Sequence, residues 1–520
     1  MTPLAALLIA LVAEDPTTLR GAPDDAAPAQ AVLYRGDWLE VRGEVPGFLK
    51  VWDHRHERPG YVRPARVRVH KVEAGSAPEL FAVVRFLRDA GGFESLGIGY
   101  AALYLRVAPV QRGQAEWGEV LGALGTMADR LARRASGTSP TLSMGGSRPD
   151  SVVAGQLGVI ESYGVRLRRF EQSVSFDLGS LGTEAPRRPQ TVVCYDGEAY
   201  ARVLTMAGAS PVERAAAALA LTRRGCLDPA TPATERRTWN EARLTILGEA
   251  NPSQPAFAQL PRGLGHQLRL RTAEALADRA HAAAVMGQTA AASSAAAEAL
   301  RQLALVDRGE LAPEEQPIYQ EAAVRVAAVR GLGEAPEPAS RGRAVQVDVV
   351  AGRPGESCVR LVANDRKGDG KTVGTPAPLA QRCTFGVVFA SSVRVAAGGQ
   401  AVAVAVAPLA GWTEQWIFRP SAEPNGTGTV WRADVIPPAL GQPGDDVGYV
   451  EIAGFGPDGR QVLVVRESLL NGRGGRRVGK RFEVLGPDGT VLHWSPSPQR
   501  LTAFSRWASP FWRRTTLSLR

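Results

Sequence analysis

The sequence predicts a multidomain α+β protein with an N-terminal small β-barrel, a central irregular α-helical region and a C-terminal all-β domain. Three observations carry that prediction. Apolar residues alternate at period two between residues 17 and 69, recur three and four apart between 79 and 331, and return to short runs bounded by Gly, Pro and Asp after 344. With 520 residues and 44% hydrophobic content, the chain has too much material for a single core and too much apolar side chain for wholesale disorder. The 56 glycines and 37 prolines predict many turns.

The chain opens on an uncharged apolar run, Pro3 to Ala13, followed at once by Glu14 and Asp15. A secretory leader has an apolar segment of about this length, whereas a membrane-crossing helix needs roughly twenty residues. Residues 1–13 are therefore assigned to a signal peptide cleaved after Ala13, with a buried first helix as the alternative. The run departs from the usual leader in having no Lys or Arg before it. No cysteine follows it to carry lipid, and no later stretch has spanning length, so no transmembrane segment is expected after processing.

Cysteine usage points to the same oxidising compartment. Cys194, Cys226, Cys358 and Cys383 fall into two local pairs with no CxxC motif, which predicts disulfides Cys194–Cys226 and Cys358–Cys383. Each closes a loop of about thirty residues and is worth about 2–4 kcal/mol.

Residues 14–72 form the first predicted module. Leu39-Glu40-Val41-Arg42 and Phe48-Leu49-Lys50-Val51-Trp52 alternate, and Gly36-Asp37, Gly43 and Pro46-Gly47 supply turns. The stretch carries an opening LR-x-AP (Leu19, Arg20, Ala22, Pro23), a central RGD-x-LEV-x-GE (Arg35 to Glu44), a G-x-LKV strand (Gly47 to Val51) and a closing GYV (Gly60 to Val62). In order and spacing this resembles the bacterial SH3 domain, over about a tenth of the chain. The resemblance implies an SH3-like barrel that binds peptidoglycan or another envelope ligand rather than performing chemistry. Tyr34, Trp38, Trp52 and Tyr61 are the candidate ligand-binding residues, because flat rings offer contact area at small entropic cost. Trp52 and Tyr61 flank the charged loop 53–58. His54 and His56 in that loop have metal-ligand spacing but no evident third ligand, so a polar hairpin tip is expected there and no metal.

Helical periodicity follows in a region 76–195, with helices at 79–88, 101–107 and 117–134, a polar break at 135–151 and some strand. A second helical region, 196–333, contains 197–207, 211–223, 234–248, 266–287, 290–306 and 314–331. Its Ala-rich helices resemble tetratricopeptide-like pairs, but no 34-residue period is present, which leaves an irregular bundle or solenoid. Residues 334–343 read as a linker. The β-rich region 344–520 has ten candidate strands and one internal echo, in which QAVAVAVAPLA (400–410) before WIF (416–418) matches QVLVVRESLL (461–470) before RFEVL (481–485). GFGPDGRQVLVV (454–465) also resembles a β-propeller repeat, giving a sandwich or partial propeller.

Two apparent ligand motifs fail. Gly370-Lys371-Thr372 lacks the phosphate-loop glycine, because Asp365 stands there, and the calcium-like run from Asp365 has Lys367 and Pro376 at ligand positions. None of the six histidines sits in a hydrolase signature, so no catalytic residue or cofactor is assigned. The formal charge of +9 favours anionic envelope glycans, and export would rule out nucleic acid. At the C-terminus Arg500, Arg506, Arg513, Arg514 and Arg520 alternate with Phe504, Trp507, Phe511 and Trp512, rings expected to close the last strands. The function expected is a non-catalytic exported envelope protein whose other domains form an interaction scaffold. The alternatives are a cell-wall hydrolase targeted by the SH3-like module, or a periplasmic or secreted protein-binding factor without wall affinity.

Overall fold

A computed structural model describes residues 7–108, 114–137, 151–175, 187–313, 315–333, 345–363, 378–422, 429–438, 447–470 and 476–517. The linker 334–343, the motifs between Asp365 and Pro376, and most of the break at 135–151 lie outside the described residues. The chain is mixed α+β, with an N-terminal antiparallel sheet, a central helical region and a C-terminal all-β domain. It divides into two compact units, one running to Val174 and including Arg187–Thr231 and Glu249–Leu264, the other holding Pro232–Gly248 and everything from Gly265 onward. No described helix is long and apolar enough to cross a membrane.

The first unit begins with β1 (Leu8–Val12), β2 (Thr17–Arg20), β3 (Ala29–Leu33), β4 (Trp38–Val45), β5 (Phe48–Asp53), β6 (Arg58–Val62) and β7 (Val67–Lys71), a 3-10 turn at Pro64–Arg66 leading into β7. Their order in the sheet is β3-β2-β6-β5-β4-β1-β7. All seven contribute to one core: Ala10, Val12, Leu19, Leu33, Leu39, Leu49, Val51, Val62 and Val67.

Residues 8–12, assigned from sequence to a cleavable leader, are the strand between β4 and β7. Ala10 and Val12 enter the sheet core, while Ile9 and Leu11 enter the core of the helices that follow. Burial on both faces erases the polar half of the period-two pattern, which is why this strand has the composition of a leader.

Those helices are α1 (Ala77–Asp89), α2 (Glu94–Val107), α3 (Gln114–Gly137) and α4 (Ser151–Ser162), with the hairpin of β8 (Leu167–Ser175) and β9 (Arg187–Tyr195), then α5 (Glu198–Thr205) and α6 (Pro211–Leu221). Glu94, fully buried at the start of α2, is held by Arg130 at 2.7 Å and Arg134 at 2.5 Å from α3. Ser210 and Glu213 close a reciprocal capping box on α6, with Pro211 in its first turn. Tyr200 and Val203 of α5 and Ala217 of α6 join this core, so the helices from 198 to 221 do not belong to one bundle running to 333. Apolar spacing shows that a helix has a buried face but not which core receives it.

In the second unit, α7 (Ala233–Glu249) precedes α8 (Arg262–Val285), α9 (Thr289–Ala304) and α10 (Gln316–Gly333), whose small faces pack together through Ala273, Ala280, Ala296, Ala299 and Ala322. The β region starts with a three-stranded sheet of β10 (Val345–Ala351), β11 (Ser357–Ala363) and β12 (Ala380–Thr384). Two four-stranded antiparallel meanders follow, β13 (Val387–Val395) to β16 through β14 (Val402–Leu409), β15 (Trp412–Ala422) and β16 (Thr429–Ile436), then β17 (Val447–Phe455), β18 (Val462–Leu470), β19 (Arg476–Leu485) and β20 (Val491–Ser495). A short parallel contact of β15 with β17 joins them into one sheet.

The sequence echo places β14 and β18 at corresponding second positions of the two meanders. The AVAVAVA run is a strand buried on both faces. Val402, Val404 and Val406 face the three-stranded sheet, while Ala403 faces Val450, Val462 and Val464 of the second meander. The far face of that meander, Leu463, Val465, Phe482 and Val484, is covered by α11 (Thr502–Trp507) and α12 (Pro510–Leu517) through Phe504 and Trp512. The C-terminal rings thus close the β region, as their spacing suggested.

Both cysteine pairs lie at bonding distance, Cys194–Cys226 with Cα atoms 5.8 Å apart and Cys358–Cys383 directly opposite each other on β11 and β12. Replacing Cys194 and Cys226 by Ser is expected to cost about 2–4 kcal/mol of stability by denaturant titration, and non-reducing peptide mapping should recover both bridges. Leu11→Ala is expected to cost about 2–5 kcal/mol, and removal of residues 8–12 to abolish cooperative unfolding of the first unit by calorimetry.

Candidate functional site

Side-chain alternation in β4, β5 and β6 sends Leu39, Leu49, Val51 and Val62 inward and leaves the intervening residues on the outer face. That face carries Trp38, Glu40 and Arg42 from β4, Lys50 and Trp52 from β5, and Pro59 and Tyr61 from β6. The register sets Glu40 against Trp52, Trp52 against Pro59, and Lys50 against Tyr61, with Arg20 of β2 on the other side of Tyr61. Trp52 and Tyr61 are therefore diagonal neighbours on adjacent strands, within reach of one flat ligand at about 7–8 Å.

Cations and rings alternate across this surface. The Arg42 guanidinium lies 4.8 Å from the centre of the Trp52 ring, and His54 stacks on Trp38 at 4.4 Å with the planes nearly parallel. Arg106 of α2 approaches the same Trp38 at 5.9 Å. Glu40 sits between, bonded to Arg42 at 3.2 Å and His54 at 3.0 Å, and these hydrogen bonds, that of Arg42 foremost, hold its carboxyl below the usual range. The acid is thus occupied by its neighbours, while Lys50 is exposed and Trp52 and Tyr61 are half-buried. A face of this kind can hold flat, polar or anionic groups; it presents cations and ring faces without a positioned nucleophile.

Three of the four aromatic candidates, Trp38, Trp52 and Tyr61, share this face. Tyr34 does not. Its ring lies flat on α4 at Gly155, where a Cβ would come within 2.3 Å of it, so it serves packing. Trp38 also has its edge against the helical core and is only partly available. The His-x-His spacing does not make a metal site, because the two rings diverge: His54 goes to Trp38 and Glu40, and His56 Nδ1 meets the buried Asp53 at 2.5 Å. Among the described residues one acid-and-sulfur cluster has ligand-like distances, Glu356 with Cys358 and Cys383, and its sulfurs are joined as a disulfide.

A second polar group lies where the sheet meets the helices, and sequence reasoning passed over it. Asp15 accepts from the Arg35 backbone at 2.5 Å and from Gln156 at 2.7 Å; Arg35 in turn donates to the carbonyls of Ala13 and Gly92. Tyr163 donates to the Gly36 carbonyl at 2.6 Å. Asp37, 2% exposed, accepts from the Tyr34 amide and faces Arg55 Nε at 3.2 Å. The RGD triplet at 35–37 therefore ties loops to helices. The sequence signal was Arg35 and Asp37 flanking the glycine of a predicted turn.

No family model matches the chain, no curated protein matches it in sequence, and no solved structure matches it in fold.

Burial pushes the Asp37 carboxyl up to about 6, against the opposing pull of Arg55 and the Tyr34 amide. An acid raised in this way binds its proton more tightly in the folded chain. Its contribution to stability is present below pH about 4 and is lost as pH rises through about 6. The loss is on the order of 3 kcal/mol, and the expected outcome is that Asp37→Asn removes this slope from the unfolding free energy measured by denaturant titration at pH 4, 5, 6 and 7.

Proposed function

We propose that the chain is a non-catalytic envelope protein of an oxidising compartment, and that its N-terminal sheet is an SH3-like module binding peptidoglycan or another anionic envelope glycan through the outer face of β4 to β6. The observation that carries this reading is the convergence of Trp52, Tyr61, Arg42 and Lys50 on one exposed face by strand register. Three features support the SH3-like assignment: a meander of three strands, a 3-10 turn leading into the last strand, and pairing of that strand with the first. The two disulfides are compatible with an extracytoplasmic location. The first strand extends the proposed module to residues 8–71. A specific observation also favours the protein-binding alternative: the edge strand β20 exposes Val491, Leu492 and Trp494 and, among the described residues, has β19 as its one partner strand in the sheet.

The test is retention of the full chain on purified peptidoglycan at ~150 mM salt, where purely electrostatic adsorption is weakened. Trp52→Ala combined with Tyr61→Ala is expected to reduce retention about tenfold or more, with little change in melting temperature because both rings are half-exposed. Equal retention of parent and variant would place the binding surface elsewhere on the chain. No retention of either would overturn the wall-binding reading and leave a protein partner to be sought.

A further inference from the structure

In the second unit three donor groups converge where the turn between β10 and β11 meets β12. The carboxylate of Glu356 and the sulfurs of Cys358 and Cys383 bring ligand atoms within 4.8 Å of one another. We propose that reduction of the Cys358–Cys383 disulfide converts this group into a binding site for one thiophilic divalent cation of the zinc class, held by the two thiolates and Glu356. The inference does not rest on the β4 to β6 face and stands or falls separately from it.

Strand geometry brings the donors together. Val359 and Leu361 of β11 enter the core shared with the first meander, so alternation turns Glu356 and Cys358 to the opposite face. There Cys383 of β12 stands directly across from Cys358. The turn is closed by the Gly352 amide donating to the Glu356 carbonyl at 2.9 Å and the Glu356 amide donating to the Arg353 carbonyl at 2.8 Å. The Arg353 amide in turn donates to Glu356 Oε2 at 3.0 Å, which orients the carboxylate and leaves Oε1 without a hydrogen bond among the described residues. A Cβ at position 352 would lie 2.6 Å from Glu356 Oε2 and 2.8 Å from the Cys358 sulfur, so glycine is what lets the acid and the sulfur share this corner.

The opening step is thiol–disulfide exchange. In an oxidising compartment the disulfide is the resting state. A dithiol that reaches it gives two electrons and two protons to the sulfur–sulfur bond, its own sulfurs joining in a disulfide, and leaves thiols at 358 and 383. Cys383 is the accessible sulfur, half-buried on the edge strand β12, and the Gln381 amide points at it from 3.6 Å. The cation then displaces both thiol protons to solvent. Paired thiolates select zinc-like ions over magnesium or calcium, which take oxygen donors. Zinc–sulfur bonds of about 2.3 Å in a tetrahedron set the sulfurs about 3.8 Å apart, a spacing that fits the 4.8 Å spread of the donors. Three protein donors leave the fourth position to water.

The test uses the full chain, reduced with a phosphine and freed of reductant without air. Cadmium is titrated by its sulfur charge-transfer absorbance, and zinc against a chromophoric chelator. The reduced parent is expected to bind one equivalent more than reduced Cys358→Ser/Cys383→Ser, a comparison that discounts the thiols of Cys194 and Cys226, and the oxidised parent to lack that equivalent. Glu356→Gln, which keeps an acceptor for the Arg353 amide, should weaken the binding about tenfold or more. Zinc should also raise the melting temperature of the reduced parent and not of the double serine variant. Equal stoichiometry in parent and serine variant, equal binding by the oxidised chain, undiminished affinity in Glu356→Gln, or an unchanged melting temperature would each overturn it.

Discussion

The first unit depends on one strand that belongs to two cores. β1 sends Ala10 and Val12 into the sheet and Ile9 and Leu11 into the helices, and it is hydrogen-bonded to β4 on one side and β7 on the other. Without it the sheet would lose the strand linking its meander to its last strand, and the helices would lose the platform they pack on. The polar group around Asp15, Arg35 and Asp37 is arranged along the same seam, tying the loops after β1 and β3 to α4 and to the turn before α2. The pairing of Ile9 with Glu40 and of Leu11 with Trp38 makes the outer face of β4 to β6 a continuation of the face on which β1 meets the helices, so its rings and cations stand beside the helical core, with the sheet core behind them.

The second unit is organised by another strand buried on both faces. In β14 valine and alanine alternate, and the two kinds of residue serve different neighbours. Valine fills the space toward the separate three-stranded sheet. Alanine keeps the first meander near the second, to which it is also hydrogen-bonded through β15 and β17. The same logic recurs at β18, where Val462 and Val464 face the first meander while the larger Leu463 joins Val465 under the aromatic rings of the C-terminal helices.

Much of this was legible in the sequence wherever one face of an element stays wet or a turn residue marks its end. The segment 461–467 anticipated Val462–Leu470, 211–223 anticipated Pro211–Leu221, and the echo between 400 and 461 marked two strands at matching places. The first strand was lost because burial on both faces leaves a continuous apolar run, which reads the same in a strand, a buried helix or a leader. The site was legible in part. Trp52 and Tyr61 were singled out as rings flanking the charged loop 53–58, and that spacing did not show that Tyr34 would be claimed by Gly155, one of two glycines in the helical stretch SVVAGQLGVIES. Nor did it show the charged seam, because this is made by residues far apart in the chain whose meeting no local period encodes.

The two meanders have a further consequence for how the β region ends. Each presents apolar surface on both sides, so a meander by itself has no reason to stop accepting neighbours. The layer count is set at the ends instead: the three-stranded sheet covers the valine side of the first meander, and Phe504 and Trp512 cover the far side of the second. These unlike elements act as caps of the kind that close repeat proteins, and the short C-terminal helices thereby convert an open-ended stack into a bounded one.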